Sequence, residues 1–201
     1  MIKIKTTDRY NITTLRSFMT IILSLLAALV VISIIFLIAG ANPVYAISEI
    51  FLGSFGSYYG IKETITKAIP LILIGSGLTL AFRAKFWNIG AEGQMLMGAI
   101  FATWTGLTFG EALPSYLIIP LIFLAGFIGG GLWGIIPAIL KIKYSINEVI
   151  STLMLNYICA EFLTMLIVGP WKGKTRFGFP GTNNLPDSAI LGLIPGSRIH
   201  Y

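Results

Sequence analysis

Asn88, Glu92 and Gln94 stand close together in the stretch Phe86-Trp87-Asn88-Ile89-Gly90-Ala91-Glu92-Gly93-Gln94, which is otherwise apolar or glycine. A carboxylate and two amides can hydrogen-bond a polar solute or gate its passage. Asn88 and Glu92 are four residues apart, so they share a face if the segment is helical. Gly90 and Gly93 argue for a broken or late-starting helix there. Glu148 and Asn156 form a second pair of candidates for lining or gating a path. Glu161 is a further acid, deeper within an apolar run, and with Asn156 it could form a polar stripe.

Bond-breaking chemistry finds no support. His200 is the one histidine, with no cysteine or paired acids around it at metal-ligand spacing. The serines lack the Gly-x-Ser-x-Gly nucleophile elbow, and Gly75-Ser76-Gly77 is too short and falls within an apolar run. There is no Gly-x4-Gly-Lys-Ser/Thr phosphate loop. The chain therefore reads as a non-enzyme without metal or cofactor, and any ATP hydrolysis belongs to another chain.

The elements that must position these residues are membrane-grade. Of 201 residues, 56% are hydrophobic and 11% charged, with a mean hydropathy of +0.86. An average soluble domain carries about 25% charged residues, so a water-facing surface cannot be assembled here and the expected solvent is lipid. The net charge of +6 sits at the ends of apolar runs, the membrane pattern, rather than marking a nucleic-acid binder. The single Cys159 lies within an apolar run and rules out a disulfide framework inside the chain.

The expected fold is an all-α, polytopic transmembrane bundle with about five spans, at 18–39, 64–82, 90–109, 115–140 and 149–168. A helix needs roughly 20 apolar residues to cross a bilayer. The run 18–39 is uncharged, and it is too long for the ~7–15-residue apolar region of a signal peptide. Between the first two spans, Asn42-Pro43 is a turn or helix-start signal. Val44, Ile47, Ile50 and Phe51 fall at helical spacing, as in a short interfacial helix, before Gly53-Ser54-Phe55-Gly56-Ser57 breaks it. Lys67 can snorkel to the interface. Pro137 is the expected kink of the long fourth span. Gly126, Gly130 and Gly134 repeat on one face of that span, a small-residue stripe for close helix packing. Gly169-Pro170 ends the fifth span, and the stretch 170–201 is a loop rich in Gly, Pro and Asn.

Orientation follows from charge. Lys3, Lys5, Arg9 and Arg16 in the segment 1–17, Arg83 and Lys85, and Lys141 and Lys143 all flank the same side of the spans. The positive-inside rule makes that side cytoplasmic. Lys172, Lys174 and Arg176 in the outer loop run against the rule. The expected location is the bacterial plasma membrane with the N-terminus inside.

Glu92 has two readings at this level. One makes it a helix N-terminal charge favoured by roughly 0.3–1 kcal/mol, or a tie to Arg83 or Lys85. The other makes it an intramembrane functional group, since irregular backbone at depth lines protein or a water-filled path. Depth decides between them. Glu161 faces a similar choice. A mid-span charge costs about 2.5–3.5 kcal/mol on insertion scales, so it should face other helices or be protonated.

Ala81-Phe82-Arg83-Ala84-Lys85-Phe86-Trp87-Asn88-Ile89-Gly90-Ala91-Glu92-Gly93-Gln94 resembles the signature of permease subunits of bacterial nucleoside and simple-sugar ABC importers, in the branched-chain amino acid and ribose permease superfamily. Asn147-Glu148-Val149-Ile150-Ser151-Thr152-Leu153-Met154-Leu155-Asn156-Tyr157 resembles a second signature of the nucleoside branch, and Gly169-Pro170-Trp171 and Leu185-Pro186 fit the outer loop after it. The resemblance spans residues 64 to 186. It implies pairing with a second permease subunit, an ATPase subunit and a substrate-binding lipoprotein, and transport of nucleosides by alternating access, with sugars such as ribose or galactose in sister branches. Family permeases are longer and carry a second set of spans with an ATPase-docking loop. The chain therefore reads as the N-terminal part of a permease: a fragment, a truncated reading frame, or one half of a protein whose other half is encoded separately. Glu161 stands where a neutral residue is expected in the family. Outside the transport class, the alternative is a non-transporting membrane anchor or assembly subunit.

Overall fold

The computed structural model describes residues 14–173, 180–195 and 200, with side chains from residue 16 onward. Lys3, Lys5, Asp8 and Arg9 of the basic N-terminal segment, and Lys174 and Arg176 of the loop, lie outside the described residues. Among the described residues six α-helices follow in order: α1 Thr14–Ile38, α2 Pro43–Phe55, α3 Tyr58–Arg83, α4 Ala91–Phe109, α5 Ser115–Tyr144 and α6 Glu148–Val168, with a 3-10 turn at Asp187–Ala189. Among the described residues the only strand-like pairing is an isolated bridge between Leu193 and His200. The fold is an all-α helical membrane bundle. The chain divides into two compact units, Met1–Thr64 and Ile65–Tyr201.

In the first unit, α1 is apolar on every side, so no face of it is suited to water. It ends at Gly40, whose φ of +77° is a left-handed geometry that glycine adopts without penalty. Asn42 then caps α2: its Oδ1 accepts the Val44 and Tyr45 amides at 3.0 and 3.3 Å, and Pro43 occupies the first helical position. The break expected over 53–57 is narrower than its glycines suggest. α2 continues to Phe55, and the next helix starts at Tyr58. The cause is a second cap, in which the Ser57 hydroxyl accepts the Gly60 amide at 2.9 Å. Thr64 also donates to the Ser54 carbonyl at 3.1 Å.

In the second unit, α4 carries more buried positions than any other helix. It packs along α5 through the small-residue stripe. A Cβ on Gly98 would come within 2.9 Å of the Gly126 carbonyl oxygen, and one on Gly130 within 2.9 Å of the Gln94 carbonyl oxygen. Only glycine permits that approach. Met97, Ile100 and Cys159 form the buried core between α4 and α6, with Trp133 and Trp171 packed against it. The loop after α6 returns to the far end of α4, where Leu185 and Ala189 abut Gly106 and Ser188 donates to the Gly110 carbonyl.

Among the described residues four helices are long and apolar enough to cross a membrane: Arg16–Ile38, Tyr58–Arg83, Ser115–Tyr144 and Glu148–Val168. α4, expected as a fifth span, has 19 residues but no stretch as continuously apolar as those four offer, because Glu92, Gln94 and several threonines interrupt it. Its neighbours α5 and α6 shield it, so it needs less hydrophobicity of its own. α5 runs unbroken through both Pro120 and Pro137.

Candidate functional site

The polar stretch lies where four helix termini of the second unit meet. α3 stops in a Schellman turn: the Lys85 amide donates to Phe82 O, and the Phe86 amide donates to Ala81 O, each at 3.0 Å. Lys85 takes the left-handed conformation, with φ +56°. Asn88 then folds onto its own backbone, its Oδ1 accepting the Gly90 amide at 2.9 Å. α4 begins at Ala91. Asn88 therefore precedes the helix, and the shared face expected for Asn88 and Glu92 does not exist. Its amide instead approaches Gln94 Oε1 at 3.4 Å.

One face of α6 holds this break. Glu148, Thr152 and Asn156 recur at four-residue spacing and so line up. Asn156 donates from Nδ2 to the Ile89 carbonyl at 2.9 Å and accepts the Gly93 amide on Oδ1 at 2.8 Å. The Thr152 hydroxyl accepts the Ile89 amide at 3.2 Å and donates to Glu148 O at 2.6 Å. Glu148 Oε1 takes a long 3.5 Å contact from the Trp87 amide. The Lys141 ammonium pairs with Glu148 Oε1 at 2.5 Å and donates to the Lys85 carbonyl at 3.1 Å. It also lies 5.2 Å from the centre of the Phe86 ring.

These bonds satisfy backbone groups that no helix satisfies. A buried amide or carbonyl left unpaired costs about 1–3 kcal/mol, whereas a completed bond contributes about 0.5–1.5 kcal/mol. The α6 face therefore fixes the geometry of the break more than it adds stability. Thr152 is fully buried. A Cβ on Gly90 would meet the Thr152 side chain at 2.9 Å, and one on Gly93 would meet Asn156 Oδ1 at 2.8 Å. Both glycines are required by this close approach.

The five candidate residues fall into three groups. Asn88 and Gln94 line a cavity of about 410 Å³, together with Leu73, Ile74, Gly77 and Leu78 of α3 and Ala91 and Met95 of α4. Glu148 and Asn156 clamp the broken backbone and do not line that cavity. Glu92 is exposed in the first turn of α4, outside the cavity lining, and among the described residues it pairs with neither Arg83 nor Lys85. Glu161 is exposed, on the side of its helix away from the buried Cys159. Sequence reasoning missed Thr152 and Lys141. The repeat Glu148/Thr152/Asn156 was the available signal for the first.

Apolar helices around a clamped, polar helix break define a polytopic membrane protein with irregular backbone lodged against protein, the setting in which such backbone is tolerated. The family model for the branched-chain amino acid transport system / permease component matches residues 60–187, and the chain belongs to that family. It is similar to the glucose ABC transporter permease protein TsgB13 of Haloferax volcanii, with 37% identity over 183 residues, covering 89% of this chain and 47% of the relative. It is also similar to the guanosine ABC transporter permease protein NupP of Bacillus subtilis, with 39% identity over 135 residues, covering 67% of this chain and 38% of the relative. The nucleoside ABC transporter permease protein NupB of Lactococcus lactis subsp. cremoris matches at 38% identity over 135 residues, 67% of this chain and 37% of the relative. The chain thus spans about half or less of the length of these curated relatives. No solved structure matches it.

Proposed function

We propose that this chain forms part of the transmembrane permease of an ATP-driven importer, moving nucleosides by alternating access. The observation that carries the reading is the clamped break, with Asn88 and Gln94 on a cavity between α3 and α4. Amide groups at such a cavity can exchange hydrogen bonds with a polar solute that sheds water on entry. The guanosine and nucleoside permeases among the relatives support this ligand class. ATP is hydrolysed on a separate ATPase subunit, a second permease subunit completes the path, and a substrate-binding lipoprotein delivers the ligand. Arg83, Lys85, Lys141 and Lys143 gather at the end where α3 and α5 finish, which supports a cytoplasmic position for that end and for residues 1–17, and an outer position for 170–201. The membrane is the bacterial plasma membrane.

A sugar is the second reading, favoured by the glucose permease relative that covers most of this chain. Uptake of labelled guanosine, uridine, ribose and glucose by cells carrying the complete transporter separates the two. Nucleoside accumulation that needs ATP and falls several-fold in Gln94→Leu supports the proposal. Sugar accumulation alone transfers it to the second reading. Uptake of every solute unchanged in both Asn88→Ala and Gln94→Leu overturns the path role of the cavity.

A further inference from the structure

Three glycines of α5 face α4, and they meet it differently. A Cβ on Gly126 would make ordinary contact with the Gly98 carbonyl oxygen at 3.4 Å, and one on Gly130 would crowd the Gln94 carbonyl oxygen at 2.9 Å. Both neighbours are backbone, so these two glycines set how closely the helices approach. The three atoms nearest a Cβ on Gly134 all belong to one side chain instead. They are Nε2 of Gln94 at 3.0 Å, its Cδ at 3.2 Å and its Cγ at 3.7 Å. Gly134 therefore makes the berth in which the Gln94 amide lies. A methyl there would displace that amide by a few tenths of an ångström and leave the helix backbones where they are.

The direction of the amide is set from the backbone. The Gly90 amide needs an acceptor and takes Asn88 Oδ1 at 2.9 Å. Asn88 is then left with Nδ2 towards Gln94. Only an oxygen answers a donor, so Gln94 turns Oε1 to it at 3.4 Å. Nε2 is left against Gly134, and among the described residues no acceptor is bonded to it. With Oε1 committed to Asn88, the uncommitted atom of this cavity-lining amide is a donor only. We propose that Gly134 is a positioning residue for Gln94, and that the amide it seats gives an N–H to a hydrogen-bond acceptor of the solute, the keto oxygen or an unprotonated ring nitrogen of a nucleobase. The inference rests on the reading of the cavity as part of a nucleoside path. Every residue it uses lies within the second compact unit.

Uptake of labelled guanosine and uridine by cells carrying the complete transporter tests it. The variants are Gly134→Ala, Gln94→Leu, Gln94→Glu and the double variant Gly134→Ala/Gln94→Leu, each also followed by thermal unfolding. Gly134→Ala should unfold with wild type, unlike Gly130→Ala, because a flexible side chain yields where a backbone carbonyl does not. Its uptake should fall about fivefold, the scale of one hydrogen bond. In the Gln94→Leu background the same substitution should change uptake by less than about twofold, since it acts through the amide. Gln94→Glu keeps an oxygen for Asn88 and puts an acceptor where the donor was, so its uptake should be as low as that of Gln94→Leu. Wild-type uptake in Gly134→Ala, or an equal loss with and without the Gln94 amide, overturns the positioning role. Uptake kept in Gln94→Glu overturns the donor, and uptake of neither nucleoside by the wild-type transporter overturns the nucleobase contact. A silent Gln94→Leu overturns the inference alone, and the path reading falls with it only if Asn88→Ala is silent too.

Discussion

Asn156 accepts the amide of Gly93 at 2.8 Å, joining the middle of α6 to the first turn of α4. With its Nδ2 on the Ile89 carbonyl, one side chain holds the backbone on both sides of Gly90, the N-cap of α4. The helix start of α4 needs this help because Gly90, its N-cap, offers no side-chain acceptor. The consequence is that a residue read as a path candidate acts on the main chain, while Asn88 and Gln94 line the cavity.

Asn156→Leu should therefore destabilise the protein by about 1–3 kcal/mol, chiefly the cost of leaving the amide of the buried Gly93 unpaired. Asn156→Asp keeps the acceptor for Gly93 and loses the donor to Ile89. Detergent-solubilised thermal unfolding should rank wild type above Asp and Asp above Leu. Equal midpoints for Leu and wild type would remove the clamp.

Thr152→Val replaces the hydroxyl by a methyl of similar size and strands the Ile89 amide. A loss of about 1–3 kcal/mol is expected, with most of it recovered in Thr152→Ser. Chemical unfolding midpoints of the two variants check this. A Val variant as stable as wild type would show that the hydroxyl is dispensable.

The stripe between α4 and α5 gives a contrast between glycines of one helix. Gly131 has nothing within 4 Å of its would-be Cβ, so Gly131→Ala should be neutral or stabilising by up to about 1 kcal/mol through helix propensity. Gly130→Ala puts a methyl against the Gln94 carbonyl oxygen and must push the helices apart. It should lower the unfolding midpoint by an amount corresponding to about 1–3 kcal/mol. Identical behaviour of the two would contradict the packing.

Glu92 and Gln94 should separate in function. Glu92 sits exposed in the first turn of α4, where a carboxylate complements the helix dipole by about 0.3–1 kcal/mol. Glu92→Gln is expected to shift stability by no more than that and to leave uptake within about twofold. Gln94→Leu removes a polar cavity wall and should lower uptake at unchanged protein level. A large uptake defect in Glu92→Gln would return Glu92 to the path.

The Lys141–Glu148 pair is only partly shielded, with side chains 35% and 13% exposed. A double-mutant cycle with Lys141→Met and Glu148→Gln should give a small coupling that shrinks as salt is raised. A larger, salt-insensitive coupling would mean that the helix ends close more tightly around the pair.

The position of the break, the apolar character of the helices and the glycine stripe on α5 were all legible in the sequence. Each is a local property: a run length, a four-residue repeat or a pair of chain-breaking glycines. The cap at Asn42 belongs to the same kind, since an Asn ahead of an apolar helix bonds amides two or three residues away. The end of α3 was less legible, because Lys85 takes a left-handed conformation usually left to glycine.

Tertiary structure alone decided what the polar residues do. Thr152 and Asn156 reach groups some sixty positions away in the chain, and periodicity carries no information about such partners. Whether an amide lines a cavity or ties down backbone depends on which helix its face meets. For Asn88 it also depends on whether the helix has begun, and here it has not. The same holds for Glu161: its spacing put it on α6, and only the packing of α4 against the opposite face left it on the side away from the buried Cys159. Sequence thus set the helices and their break, through local sterics and hydrophobic run length. The fold assigned the polar side chains between clamp and cavity, because hydrogen bonds are short-ranged and directional and form only where packing brings their partners together.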